Sequence, residues 1–275
     1  MDNDIRLAVL IDAENFSSKY VKKLFDEIAE DGQVSIRRVY GGWTAPQLKP
    51  WENVLETYSI STKQECCYSV GKNSSDSAMI IDAMDILYSD VVDGFCIASS
   101  DGDFTNLARR IREAGKLILG AGEKKTPKAF VNSCNKFIYV DMPDVSSPKS
   151  TGSQAGLVNG NPVLPQEIVS GEISPIKETD SEEEIGPTSL ETIKSELVLF
   201  FDGLASRGLE KRSHLGPIGN YLRKKHSDFD PRNYNCKTLV ELIKKFDEYI
   251  IEELPSENDP KVKAIYVACK SKDPN

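Results

Sequence analysis

Short apolar runs separated by stretches of helical spacing fill the first half of the chain, and they limit its fold more tightly than any other feature. Arg6-Leu-Ala-Val-Leu-Ile-Asp12 is apolar without alternation and ends in an acid. Residues 15–30 then set Phe16, Tyr20, Leu24, Phe25 and Ile28 at the intervals of one helix face, and Asp31-Gly32 stops that helix. The alternation continues with a strand over 34–40, a helix over 47–58, a strand over 60–68 and a helix over 75–87. A buried strand over 94–99, a helix over 105–114, a strand over 116–120 and the segments 129–134 and 136–140 complete it. Strands that are apolar throughout and divided by helices predict an α/β domain whose mainly parallel sheet is covered on both faces.

In such a domain ligands bind outside the carboxyl ends of the strands, where the strand order reverses. Asp12 ends the first strand, and Ser99-Ser-Asp-Gly-Asp-Phe104 follows the strand over 94–99. If those strands flank the reversal, Asp12, Asp101 and Asp103 converge, and Asp76 at the head of its helix reaches over the same edge. One helix needs one capping acid, so Asp103 is expected to cap while Asp101, or both, faces a metal. Acids gathered without cations repel unless a divalent ion neutralises them, and hard oxygen donors suit Mg²⁺ or Mn²⁺. Such an ion activates water and stabilises charge on a phosphodiester being cut.

Each residue also has a plainer reading. Asp12 can be a strand-end cap. Asp82 follows Asp76 by six residues, off its helix face, which suits a structural or supporting role. Lys72 is a solvated loop charge or a phosphate contact, and Asn15 an early-turn cap or a contact to a metal-bound water. Ser99 and Ser100 orient ligands through their hydroxyls or are ordinary loop residues. Tyr40-Gly-Gly-Trp43 is a base-stacking platform or core packing.

Residues 142–187 break the pattern. Rich in Ser, Gly, Pro and acid, they hold too little apolar surface to offset ordering entropy and are expected to be a flexible acidic linker. Much of the formal charge of -9 sits there, leaving residues 1–140 mildly acidic and 189–275 near neutral. That balance opposes nonspecific nucleic-acid coating, but a metal site itself contributes carboxylates. The six cysteines lack metal-ligand spacing and read as reduced structural thiols, while His214 and His226 lack ligand partners. With neither a signal-type leader nor a bilayer-length apolar run, a cytoplasmic protein with no membrane partner is expected.

Beyond the linker, helical spacing over 190–204, 214–226 and 237–246 precedes a hairpin of 249–254 with 263–267, a small winged-helix-like module. The expected domains are thus 1–141 and 188–270, folding independently.

Two resemblances sharpen this reading. Asp12-Ala-Glu-Asn15 after an apolar strand, Lys72-Asn-Ser-Ser-Asp76 opening a helix with Asp82 inside it, and Ser100-Asp-Gly-Asp-Phe104 after a second strand resemble the NYN domain, a LabA-like branch of the PIN-like nucleases, over residues 5–141. The resemblance implies a metal-dependent ribonuclease in which Asp12, Asp76, Asp101 and Asp103 are the matching acids and Asn15 supports the first. The chain departs from the family where Asn-Ser-Ser-Asp76 replaces the usual Gly-Val-Asp. Leu215 to Tyr234, and within it Phe229-Asp-Pro-Arg-Asn-Tyr234, resembles the LOTUS or OST-HTH domain, which implies RNA binding and protein contacts. Asn235 stands where that family usually has glycine and can take a positive φ. Arg223, Lys224, Lys225, Arg232 and Lys237 then supply phosphate contacts, or else are a solvated helix end. Two functions follow: an endoribonuclease with a C-terminal RNA-binding module, or a noncatalytic RNA-binding or regulatory adaptor keeping the fold.

Overall fold

A computed structural model describes residues 5–42, 49–63, 74–142, 186–255 and 263–270. Lys72, Trp43, Cys66, Cys67 and most of the expected linker lie outside them.

Six parallel strands form the first sheet: β1 (Arg6–Asp12), β2 (Gln33–Tyr40), β3 (Ser61–Lys63), β4 (Gly94–Ala98), β5 (Leu117–Gly122) and β6 (Lys136–Tyr139). Their spatial order is β3-β2-β1-β4-β5-β6, so the chain builds outward from β1 and then restarts on its other side. The reversal lies between β1 and β4, with Ile11 opposite Ala98, and the acids at their ends therefore flank it. On β1, Leu7, Val9 and Ile11 enter one core, and Ala8 and Leu10 the other. Helices α1 (Val21–Ile28) and α2 (Trp51–Tyr58) cover the first face. Helices α3 (Ser74–Ser89), α4 (Thr105–Glu113) and α5 (Lys128–Ser133) cover the second. This is a PIN-like α/β architecture.

The first helix begins later than its spacing predicts, after a 3-10 turn over Ser18–Tyr20. The carboxylate of Asp12 accepts hydrogen bonds from the amides of Glu14 and Asn15 at 2.9 and 3.2 Å, which holds the preceding segment in a tight loop.

The C-terminal domain packs α6 (Leu190–Ala205), α7 (Leu215–Lys225) and α8 (Leu239–Ile243) on an antiparallel sheet. Its strands are β7 (Arg212–His214), β8 (Tyr249–Pro255) and β9 (Lys263–Cys269), in the order β7-β9-β8. Phe229 enters the core, and Asn235 closes the following turn at φ 57°, the left-handed conformation its glycine-like place requires.

The two domains touch through the loop after α7. Asp228, 2% exposed, pairs with Lys128 at 2.8 Å and accepts hydrogen bonds from the amide and hydroxyl of Thr188 at 2.8 and 2.7 Å. Burial pushes its carboxyl up, but Lys128 and Thr188 together hold it below the usual carboxylate range. The amide of Phe137 on β6 donates to the Ser227 carbonyl at 2.8 Å, and the Ser227 hydroxyl donates to the Val131 carbonyl.

Candidate metal centre

Three acids gather at the reversal. Asp76, Asp101 and Asp103 each offer one carboxylate oxygen, and these oxygens all lie within 4.8 Å of one another. An ion with metal–oxygen distances of about 2.0–2.6 Å separates opposite ligands by about 4–5 Å, so one divalent cation fits the set. Asp76 and Asp101 are half-buried and Asp103 is exposed, which leaves the centre open on one side. Burial and then the negative charges of Asp12, Asp101, Glu14 and Asp103 push the Asp76 carboxyl up to about 6. The charges acting on it most strongly are all negative, a field that a bound cation would offset.

Asp12 does not join the triplet. At 1% exposure it lies beneath, with one oxygen taken by the Glu14 and Asn15 amides and the other by the Ser99 hydroxyl at 2.8 Å. Ser99 is wholly buried and also accepts the Asp101 amide at 3.0 Å, so it ties the end of β1 to the loop after β4. Asn15 contributes its backbone, the carbonyl accepting the Ser100 amide at 3.2 Å. The Ser100 hydroxyl accepts the Glu123 amide at 2.9 Å, anchoring the loop to the end of β5.

The expected capping roles are reversed. Asp101, not Asp103, is the cap: its Oδ1 accepts the Asp103 amide at 2.9 Å across the 3-10 turn Gly102–Phe104 that leads into α4. An extended residue just before a turn aims its side chain at the amide two residues on, which only the first acid of Asp-Gly-Asp can do. The cap uses one oxygen and leaves the other to the triplet.

Asp82 sits apart, paired with Arg38 at 2.6 Å and receiving the Tyr40 hydroxyl. Burial pushes its carboxyl up, but Tyr40 and Arg38 bring it below its ordinary value. Tyr40 is 1% exposed and is core packing rather than a platform. Glu14 also bears on the site: its charge acts on Asp76, and it accepts the Ser75 hydroxyl at 3.2 Å. Its signal in the sequence is a second acid two residues after a strand-end acid.

In the C-terminal domain Arg223, Lys224 and Lys225 occupy the last turn of α7 and border an open cleft at the domain seam. Arg232 is diverted from the phosphate role expected of it. Its guanidinium lies between Glu27, at 2.5 and 2.8 Å, and Asp230, at 2.7 Å, because its turn faces α1 across the seam. Lys237 stands just before α8, its amide bonded to Glu241. The His226 Nε2 is 3.7 Å from Glu196 and has no hydrogen-bond partner among the described residues.

The model of the NYN domain matches residues 6–142, and that of the OST-HTH/LOTUS domain matches residues 182–260. No curated protein matches the chain. Among solved structures, the crystal structure of a protein of unknown function, VPA0982 from Vibrio parahaemolyticus RIMD 2210633, is similar at 19% identity with a TM-score of 0.43. The match covers 51% of this chain and 96% of that one. The chain carries an NYN domain of the PIN-like nuclease superfamily followed by an OST-HTH/LOTUS domain.

Proposed function

We propose that this protein is a cytoplasmic, metal-dependent endoribonuclease whose C-terminal domain binds the RNA it cuts. The observation that carries the reading is the meeting of Asp76, Asp101 and Asp103 at the strand-order reversal, within the span of one ion. Asp76, Asp101 and Asp103 would hold Mg²⁺ or Mn²⁺, which would polarise a bound water as the nucleophile and offset charge gathering on the scissile phosphodiester. The protein's own part is positioning. Asp12 fixes Ser99, Ser99 fixes the Asp101 amide, and Asp101 caps the turn that presents Asp103. Asp76 sheds its proton above about pH 6 and is then free to ligate. The pairing of the two domain families supports RNA as the substrate, with Arg223, Lys224, Lys225 and Lys237 as the phosphate contacts.

Cleavage of end-labelled single-stranded RNA in Mn²⁺ tests this. Asp101→Asn keeps a competent cap but loses a charged ligand, so its rate should fall on the order of 10²-fold or more with the melting temperature held. Wild-type cleavage that survives EDTA, or an Asp101→Asn protein as fast as wild type, would defeat the assignment.

A further inference from the structure

The seam between the two domains forms a cleft of about 690 Å³ with four cations on its rim. Arg112, from the last turn of α4, lines the same cleft as Arg223, Lys224 and Lys225 from the last turn of α7, together with Asn132 and Asn220. Several exposed cations elsewhere on this acidic chain are paired, Arg6 with Asp93, Lys22 with Asp26, Lys194 with Glu248 and Lys211 with Asp202, while others such as Arg109 and Lys244 stand singly among the described residues. Among the described residues none of the four rim cations is bonded to a carboxylate, and Asp230, which Arg223 feels, is already held by Arg232. Arg112 donates to the Asn132 carbonyl at 3.2 Å, and Lys225 lies 5.8 Å from the centre of the Tyr221 ring.

The plain explanation is charge compensation at two helix C-termini. Each carries about half a negative charge, so together they account for roughly one of the four positive charges. The remainder is a local positive patch that an anionic ligand would complement.

We propose that this seam is a groove for the phosphodiester backbone of a single RNA strand, built jointly by both domains, with Arg112 as its contribution from the NYN domain. The assignment rests on the nuclease reading above for the direction of the strand. Helix α4 joins the two places, since Asp103 leads into its first turn and Arg112 stands in its last. Nine residues at ~1.5 Å each separate them by about 14 Å. Asn106, Arg109 and Arg112, spaced by threes on that helix, are all exposed and mark one face along the way. A stacked strand advances ~3.4 Å per nucleotide, so about four nucleotides bridge the acid triplet and the groove. RNA of two or three nucleotides reaches one or the other, not both.

The test uses the full chain and fluorescence anisotropy in EDTA, which reads binding without cleavage, on labelled single-stranded RNAs of 3 and 12 nucleotides. Arg112→Gln and the triple change Arg223→Gln, Lys224→Gln, Lys225→Gln should each weaken 12-mer binding by about tenfold near 0.1 M salt and flatten the salt dependence. The slope falls by about 0.7 per lost phosphate contact, so the triple change should lower it by about 2. Arg112→Lys should restore most of the loss, Lys244→Gln, an exposed cation outside the groove, should cause none, and the 3-mer, too short to run the length of the path, should bind the wild type more weakly than the 12-mer. Unchanged 12-mer affinity and slope in both rim variants would overturn the proposal, as would an equal loss in Lys244→Gln. Equal, rim-dependent binding of an acidic peptide would overturn it too, marking a protein-contact surface. If the rim variants lose binding while the wild type cleaves nothing in Mn²⁺, the groove stands and the nuclease reading falls. If cleavage proceeds with binding untouched, the reverse holds.

Discussion

Crowding of like charge falls most heavily on Asp76, and the sign of its effect on stability is set by the direction of its shift. The folded chain binds that proton up to about pH 6, whereas an unfolded aspartate releases it near 4. Between those values the folded state holds more protons, so without metal its stability declines as pH rises through 6. Asp76→Asn should therefore raise the melting temperature of the metal-free protein at pH 7.5 and change it little at pH 4. Mn²⁺ should stabilise the wild type more at pH 7.5 than at pH 5, and thermal unfolding with and without the ion reads both. Ser99 offers a second check, since it contacts Asp12 and the Asp101 amide and is not one of the triplet. Ser99→Ala leaves a buried carboxylate oxygen short of a donor, at a cost of about 1–3 kcal/mol. It should weaken Mn²⁺ binding by about 10- to 100-fold by calorimetry, as loss of an orienting partner does. All three members of the triplet were legible in the sequence, because acids at strand and helix ends announce themselves. The order of their duties was not, since which acid of Asp-Gly-Asp caps depends on backbone angles that residue types leave open.

Elements with long apolar runs were readable from spacing, and those fixed by tertiary contact were not. The runs that become β1 and β4, buried on both faces, showed as continuous hydrophobic stretches. The three-residue β7 gave no signal, because its existence depends on β9, with Ser213 opposite Val267. The delayed start of α1 was hidden for a similar reason, since its spacing continues through a loop that Asp12 holds back. At the end of β5, Gly122 lets the sheet and the site approach each other. A Cβ there would stand 2.6 Å from the Ser99 carbonyl oxygen and equally close to the Thr126 hydroxyl. Gly122→Ala should destabilise the protein by roughly 1–3 kcal/mol in urea unfolding. By shifting Ser99 it should also weaken Mn²⁺ binding, with no ligand removed.

For the whole molecule, sequence suggested two independent bodies and the structure shows a contact with a buried ion pair at its centre. The contact was illegible because its members, Lys128 and Asp228, stand a hundred residues apart and neither interrupts a pattern. Lys128→Met leaves Asp228 buried without its cation, and removal of one partner of such a pair costs about 3–5 kcal/mol. That variant should show the two domains unfolding in separate transitions by calorimetry, where the wild type should show them coupled. Because Asp228 titrates below its ordinary value when docked, its stabilising contribution is complete above the usual aspartate pKa of about 4 and is lost as the pH falls through the lower, docked value.

Strand β6 ends the parallel sheet, and the Ser227 carbonyl takes its Phe137 amide. A fragment ending at residue 142 would carry that donor, and the apolar strand around it, bare to solvent. Open sheet edges recruit one another, so the excised nuclease half should self-associate as its concentration rises, while the intact chain, carrying its own edge guard, should stay dispersed.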